Sequence, residues 1–270
     1  MCIGAFVWQT NPHYPLILFL NRDEYHNRPT KEAGWWECGE ILGGRDEVGG
    51  GTWMACSRKG RMAFVTNVLE LNSFSKARTR GDLPIRFLES SKSPKEFADE
   101  VAKESDQYNG FNLIIADLSC NLMLYVSNRP KEEPPTIEEV SPGVHVLSNG
   151  RLDSPWPKAE WLGLNLITLL EEKEMELNKM VHKLMRDTVK ADKSKLPHIW
   201  SLDWELNLSS VFVQFETPLG LFGTRSTIAL TVGFDGEVCF NEEYLENKKW
   251  KEKTFKYNIN EANITHKQSI

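Results

Sequence analysis

Two short segments of this sequence carry side chains that could do covalent chemistry together: Cys2 in "MCIGAFVW" and the polar run "NRDE" at 21–24. A start methionine followed by a residue as small as cysteine is normally trimmed, so the mature chain is expected to begin at Cys2, with its thiol and a free α-amine on one carbon. An unperturbed thiol titrates near about 8.5 and is mostly protonated at neutral pH, but an arginine within about 4–6 Å favours the thiolate. The α-amine titrates at about 7.7–8.0, close enough to neutrality to take the thiol's proton without a histidine. On position alone, Cys2 can equally be an inert buried cysteine at the start of a strand.

The elements around these residues decide between the two readings. "CIGAFVW" and "YPLILFLNRDE" flank the turn signal Asn11-Pro12, and "LILFL" is apolar without alternation, as in a strand covered on both faces. Paired as an antiparallel hairpin, they put Cys2 across from Arg22, or from Asp23 if the register slips. Four polar residues closing so apolar a strand need partners or a solvated pocket, unless the strand simply surfaces there. A second hairpin is read in "GGGTWMACSRKGRMAFVTNVLE", turning at "RKGR". Ser93, Pro94 and Glu96 form a capping box that opens a helix expected to run to Asn109-Gly110. "FNLIIADL" and "LMLYVSN" read as strands, "PKEEPPTIEEV" at 130–140 as a surface loop, and "VHVLSNG" as a strand. Helical spacing runs through "WPKAEWLGLNLITLLEE" and "MELNKMVHKLMRDTV". Strands return in "SSVFVQF" and in "TRSTIALTVGFDGEVCFNEEYL", which turns at Asp235-Gly236. Hairpins, helices and hairpins again predict an α+β layer protein with antiparallel sheets, as one domain over 1–258 and a polar, frayed tail over 259–270.

Composition narrows the function. A net charge of −6 over 270 residues argues against a nucleic-acid partner, which needs a basic surface; the basic run "KARTRG" at 76–81 reads as a solvated turn before a helix. Five cysteines without a CxxC pair describe neither a disulfide framework nor a zinc site. Six histidines show no HExxH, and no cysteine precedes a proline, so neither a metal nor a haem ligand is advertised. "LILFL" is too short to span a bilayer and the start lacks a signal-peptide pattern, so a cytoplasmic location is expected. The glycine-rich "GGRDEVGGG" at 43–51 has neither dinucleotide nor P-loop spacing and reads as a loop or a flap. The tryptophans at 35, 36, 53, 156, 161, 200 and 204 are core or pocket lining.

"NRDE" with the following "NRP", "GGTWMACSRKGRMAFVTN", "VLSNGRLDSPWPK" and "FGTRSTIAL" resemble, in order and spacing over nearly the whole chain, the NRDE family, which is named for transport and Golgi organisation. More distantly the chain is similar to the N-terminal-nucleophile (Ntn) hydrolases, particularly the cysteine group with bile-salt hydrolases and penicillin V acylase. That resemblance implies a four-layer αββα sandwich with antiparallel sheets and the nucleophile at the start of a central strand. It implies Cys2 as nucleophile, and Arg22 and Asp23 as the pair holding its thiol and amine. Asn67 and Asn149 would supply oxyanion donors, each of which can contribute roughly 3–4 kcal/mol, and Arg225 resembles a late arginine supporting the site. The hydrolases separate their Arg and Asp by two residues; here they are adjacent. Asn149 before Gly150 also suits a turn, and Arg225 a structural ion pair.

Three functions follow as expectations. The first is an amidase, thioesterase or acyltransferase working through acyl-Cys2, with no cofactor required. The second is a non-catalytic carrier of haem, an acyl chain or acyl-CoA. The third is a trafficking factor in Golgi organisation and secretion. By resemblance, a Golgi or mitochondrial association is also expected.

Overall fold

Alternation along the first hairpin sets the layering. In the computed structural model, which describes residues 2–172 and 177–259, β1 (Ile3–Trp8) pairs antiparallel with β2 (Leu16–Tyr25), Ile3 facing Asn21 and Trp8 facing Leu16. The turn between them is held by Asn11, whose Oδ1 accepts from the N–H groups of His13 and Tyr14. Cys2, Phe6, Trp8, Leu16, Leu18 and Leu20 point one way, into a core shared with the second sheet. Ile3, Ala5, Val7, Ile17 and Phe19 point the other way, into a core shared with helices. Both faces are covered, which explains the unbroken apolar run.

The first sheet has the order β10 (Gly143–Leu147), β1, β2, β12 (Gly220–Val232), β13 (Glu237–Glu246), β14 (Lys249–Asn258), with β11 (Gln214–Thr217) also on β12. The second runs in chain order: β3 (Thr30–Trp35), β4 (Ile41–Asp46), β5 (Met54–Ser57), β6 (Arg61–Asn67), β7 (Phe111–Asp117), β8 (Leu122–Ser127), β9 (Thr136–Glu139). All the pairings in both sheets are antiparallel. Helices α1 (Asp82–Glu89) and α2 (Pro94–Lys103) bury Leu83, Phe87, Phe97 and Val101 against the outer face of the second sheet. Helices α3 (Pro157–Glu171) and α4 (Leu177–Met185) do the same on the first sheet with Leu162, Leu166, Met180 and Leu184. A short α5 (Leu202–Asn207) lies further along the chain. The result is the expected αββα sandwich. Each fully buried Leu, Ile or Phe contributes about 1.5–3 kcal/mol, so three stacked cores, rather than strand propensity, hold the layers.

Several elements differ from the sequence reading. The capping box of α2 forms, Ser93 and Glu96 bonding reciprocally, but the helix stops at Lys103 and a 3-10 turn over Ser105–Gln107 follows. The 130–140 segment is loop only at first, since β9 pairs with β8. Of "SSVFVQF", only Gln214 and Phe215 are strand; Val211 and Val213 are buried as loop. The glycine-rich stretch is strand as far as Asp46. Beyond residue 259, the polar tail lies outside the described residues.

Candidate functional site

Three residues in a row, Asn21-Arg22-Asp23, leave the same strand on alternate faces. Asn21 turns to the helix layer, where its amide donates to the carbonyls of Met185 and Val211 at 2.9 and 3.0 Å. Arg22 turns inward between the sheets: its Nη1 donates to Thr30 Oγ1 at 3.2 Å and its guanidinium stacks 4.3 Å from the Trp53 ring. Asp23 turns to the helix side again, its Oδ1 accepting from the Thr224 hydroxyl at 2.7 Å. Carrying the β1–β2 register on by one residue sets Cys2 opposite Arg22 on the inter-sheet face. All three groups are buried: Cys2 is 8% exposed, Arg22 5% and Asp23 2%.

The adjacency of Arg22 and Asp23 therefore has a structural consequence. Side chains alternate along a strand, so one residue serves each side of the sheet. Glu24, the last of the run, accepts from the Tyr25 N–H and sits 3.9 Å from Arg28, at the strand's open end.

The electrostatics gather around Cys2. Burial lowers the pKa of Arg22, and a negative charge on Cys2 is the first influence opposing it. Burial likewise lowers that of Lys158, with Asp23 and Cys2 opposing. It lowers Arg80, against Glu70 and then Cys2. Three cations thus feel the sulfur. Asp23 is pushed up to about 6 by burial, despite the charge of the N-terminus and, after it, Lys158, the Thr224 hydroxyl and Arg22.

Lys158 and Arg80 were missed in the sequence. Lys158 is 6% exposed and donates to the Leu208 carbonyl at 2.9 Å. A signal existed: it occupies the same helical stripe as Leu162, Leu166 and Leu169, where a lysine is out of place. Arg80 corrects the reading of "KARTRG" as a solvated turn. Arg78 does face solvent in ion pairs with Asp82 and Glu104, but Arg80 turns inward to the Gly110 carbonyl at 2.9 Å.

The two asparagines meet across the sheets. Asn149 Nδ2 donates to Asn67 O at 2.9 Å and to Asn67 Oδ1 at 3.1 Å, while Ser148 Oγ donates to the Cys2 carbonyl at 3.1 Å. Asn149 is thereby committed to Asn67, a departure from the expected pair of equivalent donors. Because Asn67 Oδ1 accepts from Asn149, its Nδ2 is turned the other way.

Arg225 lies where the β2–β12 register shifts between Thr224 and Ser226, an irregularity that re-aims a side chain. It is not in an ion pair with a carboxylate among the described residues. Its Nη1 instead donates to the carbonyls of Tyr25 and Arg28 and, at 3.2 Å, to the same Thr30 Oγ1 that Arg22 reaches. A cleft of about 910 Å³ opens here, lined by Arg22, Arg225, Trp53 and Glu242 among others. Asn149 and Lys158 line a separate pocket of about 30 Å³. Cys2, Asp23 and Asn67 are not among the residues lining either. No cluster of three or more His, Cys, Asp or Glu suited to a metal occurs among the described residues.

Comparison with known proteins gives one consistent family. The family model described as "Transport and Golgi organisation 2" matches residues 1–247. The human transport and Golgi organization protein 2 homolog is 33% identical over 96% of this chain and 99% of its own length. The mouse homolog is 31% identical over the same shares, and the Drosophila melanogaster protein 26% over 90% and 92%. Among solved structures, a C2A mutant of the conjugated bile acid hydrolase from Clostridium perfringens aligns over 96% of this chain and 98% of that one, at 13% identity and a TM-score of 0.46.

Proposed function

The chain belongs to the Transport and Golgi organisation 2 family, and on that premise we propose that it cleaves or transfers an acyl group from an amide or thioester through Cys2. The observation that carries this reading is geometric: the β1–β2 register sets the buried Cys2 opposite the buried Arg22 on the inter-sheet face, with Asp23 leaving the other face of the same strand. In the proposed cycle, removal of Met1 frees the α-amine, which takes the thiol's proton. The thiolate adds to the carbonyl, and the Asn67 amide donates to the developing oxyanion. Asn149 positions Asn67. Collapse expels the amine or thiol, protonated by the α-ammonium, and water then releases the acyl group from sulfur. Asp23 and Lys158 hold the amine side of Cys2 in a fixed electrostatic field.

Intact mass spectrometry after incubation with acyl-thioesters and N-acyl amides tests this. The wild type should lack Met1 and gain an acyl adduct that Cys2→Ala does not form. A retained Met1, or no adduct with any substrate, refutes it.

A second reading has one observation in its favour: the large cleft lies beside Cys2 without being lined by it. On that reading the chain carries an acyl-CoA, lipid or haem cargo, and Cys2→Ala binds it as tightly as the wild type. The family's description also supports a role in Golgi organisation. No helix among the described residues is long and apolar enough to cross a membrane.

A further inference from the structure

Two guanidinium groups meet over one oxygen. Arg22 Nη1 and Arg225 Nη1 each donate to Thr30 Oγ1 at 3.2 Å, so the cations lie well within a Debye length of each other. Neither forms an ion pair with a carboxylate among the described residues, although nearby Arg28 is neutralised by Asp46 at 2.7 Å. Burial, and after it the charge of Arg22, pushes Arg225 down to about 10. Like charges brought together under partial burial call for an anion.

The cleft around them supplies the rest of a site. Five buried polar atoms on its lining side chains have no hydrogen-bond partner among the described residues: Arg225 Nε, Trp53 Nε1, His26 Nε2, Ser226 Oγ and Glu242 Oε1. Trp53 is 6% exposed and Glu242 0%. Arginine Nε and indole Nε1 can only donate. Buried donors left without acceptors are costly, and here they belong to one concavity. The other oxygen of Glu242 is already engaged, accepting from the Ala33 N–H at 2.6 Å, so Oε1 is held in place rather than free to turn away.

We propose that this cleft binds a ligand through an oxyanionic group, a carboxylate or a phosphate, seated between Arg22 and Arg225 with Trp53 Nε1 donating to it. Glu242 Oε1, with the Ser226 hydroxyl beside the same carboxylate, marks where the ligand presents an O–H or N–H next to the charge. It also limits affinity for a bare anion, because an ionised Glu242 repels one. The site does not depend on acyl chemistry at Cys2, which does not line the cleft.

Calorimetric titration of the full chain at pH 8 and low ionic strength tests this, with inorganic pyrophosphate in one arm and succinate in the other. Saturable binding in at least one arm is expected, and the tighter arm identifies phosphate or carboxylate. Arg225→Gln should weaken it by about tenfold or more, the loss of a charge-assisted donor. Because Arg225 also holds two backbone carbonyls, a loss there could reflect misfolding; Glu242→Gln guards against this. Gln keeps the Ala33 contact but removes a negative charge, so it should tighten binding by about threefold or more, a gain that a damaged fold does not give. Cys2→Ala should still bind saturably, even if Cys2 proves to form no acyl adduct. No saturable binding in either arm, unchanged affinity in Arg225→Gln, or no tightening in Glu242→Gln overturns the proposal.

Discussion

Replacing Asp23 with Asn should stabilise the protein at neutral pH and not in acid. An ordinary aspartate titrates near 3.8, whereas burial pushes Asp23 up to about 6. At about 1.4 kcal/mol per pH unit, ionising Asp23 in the folded state therefore costs roughly 3 kcal/mol more than in the unfolded chain. The sign follows from proton binding. Between pH 3.8 and about 6 the native state holds the proton more tightly, so stability is greatest below this window and falls as pH rises through it. Asn mimics the protonated acid, and its carbonyl oxygen can keep the Thr224 hydrogen bond. Asp23→Asn should therefore match the wild type near pH 3.5 and exceed it by about 3 kcal/mol at pH 7.5. Urea unfolding of both proteins across that range measures the difference directly. A variant less stable than wild type at pH 7.5, or a gap that does not change with pH, refutes the reasoning. A carboxylate kept where it weakens the fold supports the role proposed for Asp23.

Two further substitutions test the frame around the site. Asn149→Ala removes both hydrogen bonds to Asn67 and leaves the Asn67 carbonyl without the Asn149 donor; the urea midpoint should fall by an amount equivalent to about 1–3 kcal/mol, and an unchanged midpoint would show that this clamp is idle. Gly51→Ala places a Cβ 2.5 Å from the Gly81 carbonyl carbon, in the backbone approach that seats the chain leading into α1. It should cost about 1–3 kcal/mol as overpacking, measured by thermal unfolding, and a neutral result contradicts that contact.

The hairpins were legible because their turns are chemically explicit: Gly60 and Gly236 adopt φ of +78° and +85°, which glycine takes without strain. β4 was not, because glycine reads as loop. Its Gly44 is there for space instead. A Cβ on Gly44 would come within 2.3 Å of the Trp53 indole, the same ring on which Arg22 stacks. The glycine is thus part of the site's support, through a contact that only the folded chain reveals. β14, with Lys249, Lys251, Lys253 and Lys256 along it, carries the charges of an exposed edge strand, and no element is read there from the sequence alone.

For the site itself, "NRDE" and Cys2 could be brought together from the hairpin alone, but the division of labour could not. That division depends on which face each side chain leaves, and hence on what covers the face. Arg22 meets Thr30 and Trp53 because a second sheet lies there; Asp23 meets Thr224 and feels the charge of Lys158 because α3 lies on the other side. A cysteine in the middle of a strand would present its thiol to one layer only, its backbone nitrogen being tied into the ladder. At the end of β1, in the proposed mature chain, the thiol can address the arginine side while the α-amine addresses the aspartate and lysine side. The adjacency of Arg22 and Asp23 then follows from the chemistry. A nucleophile and its base that share one carbon need their two supporting charges on opposite faces of the neighbouring strand, and consecutive residues are the shortest way to supply them.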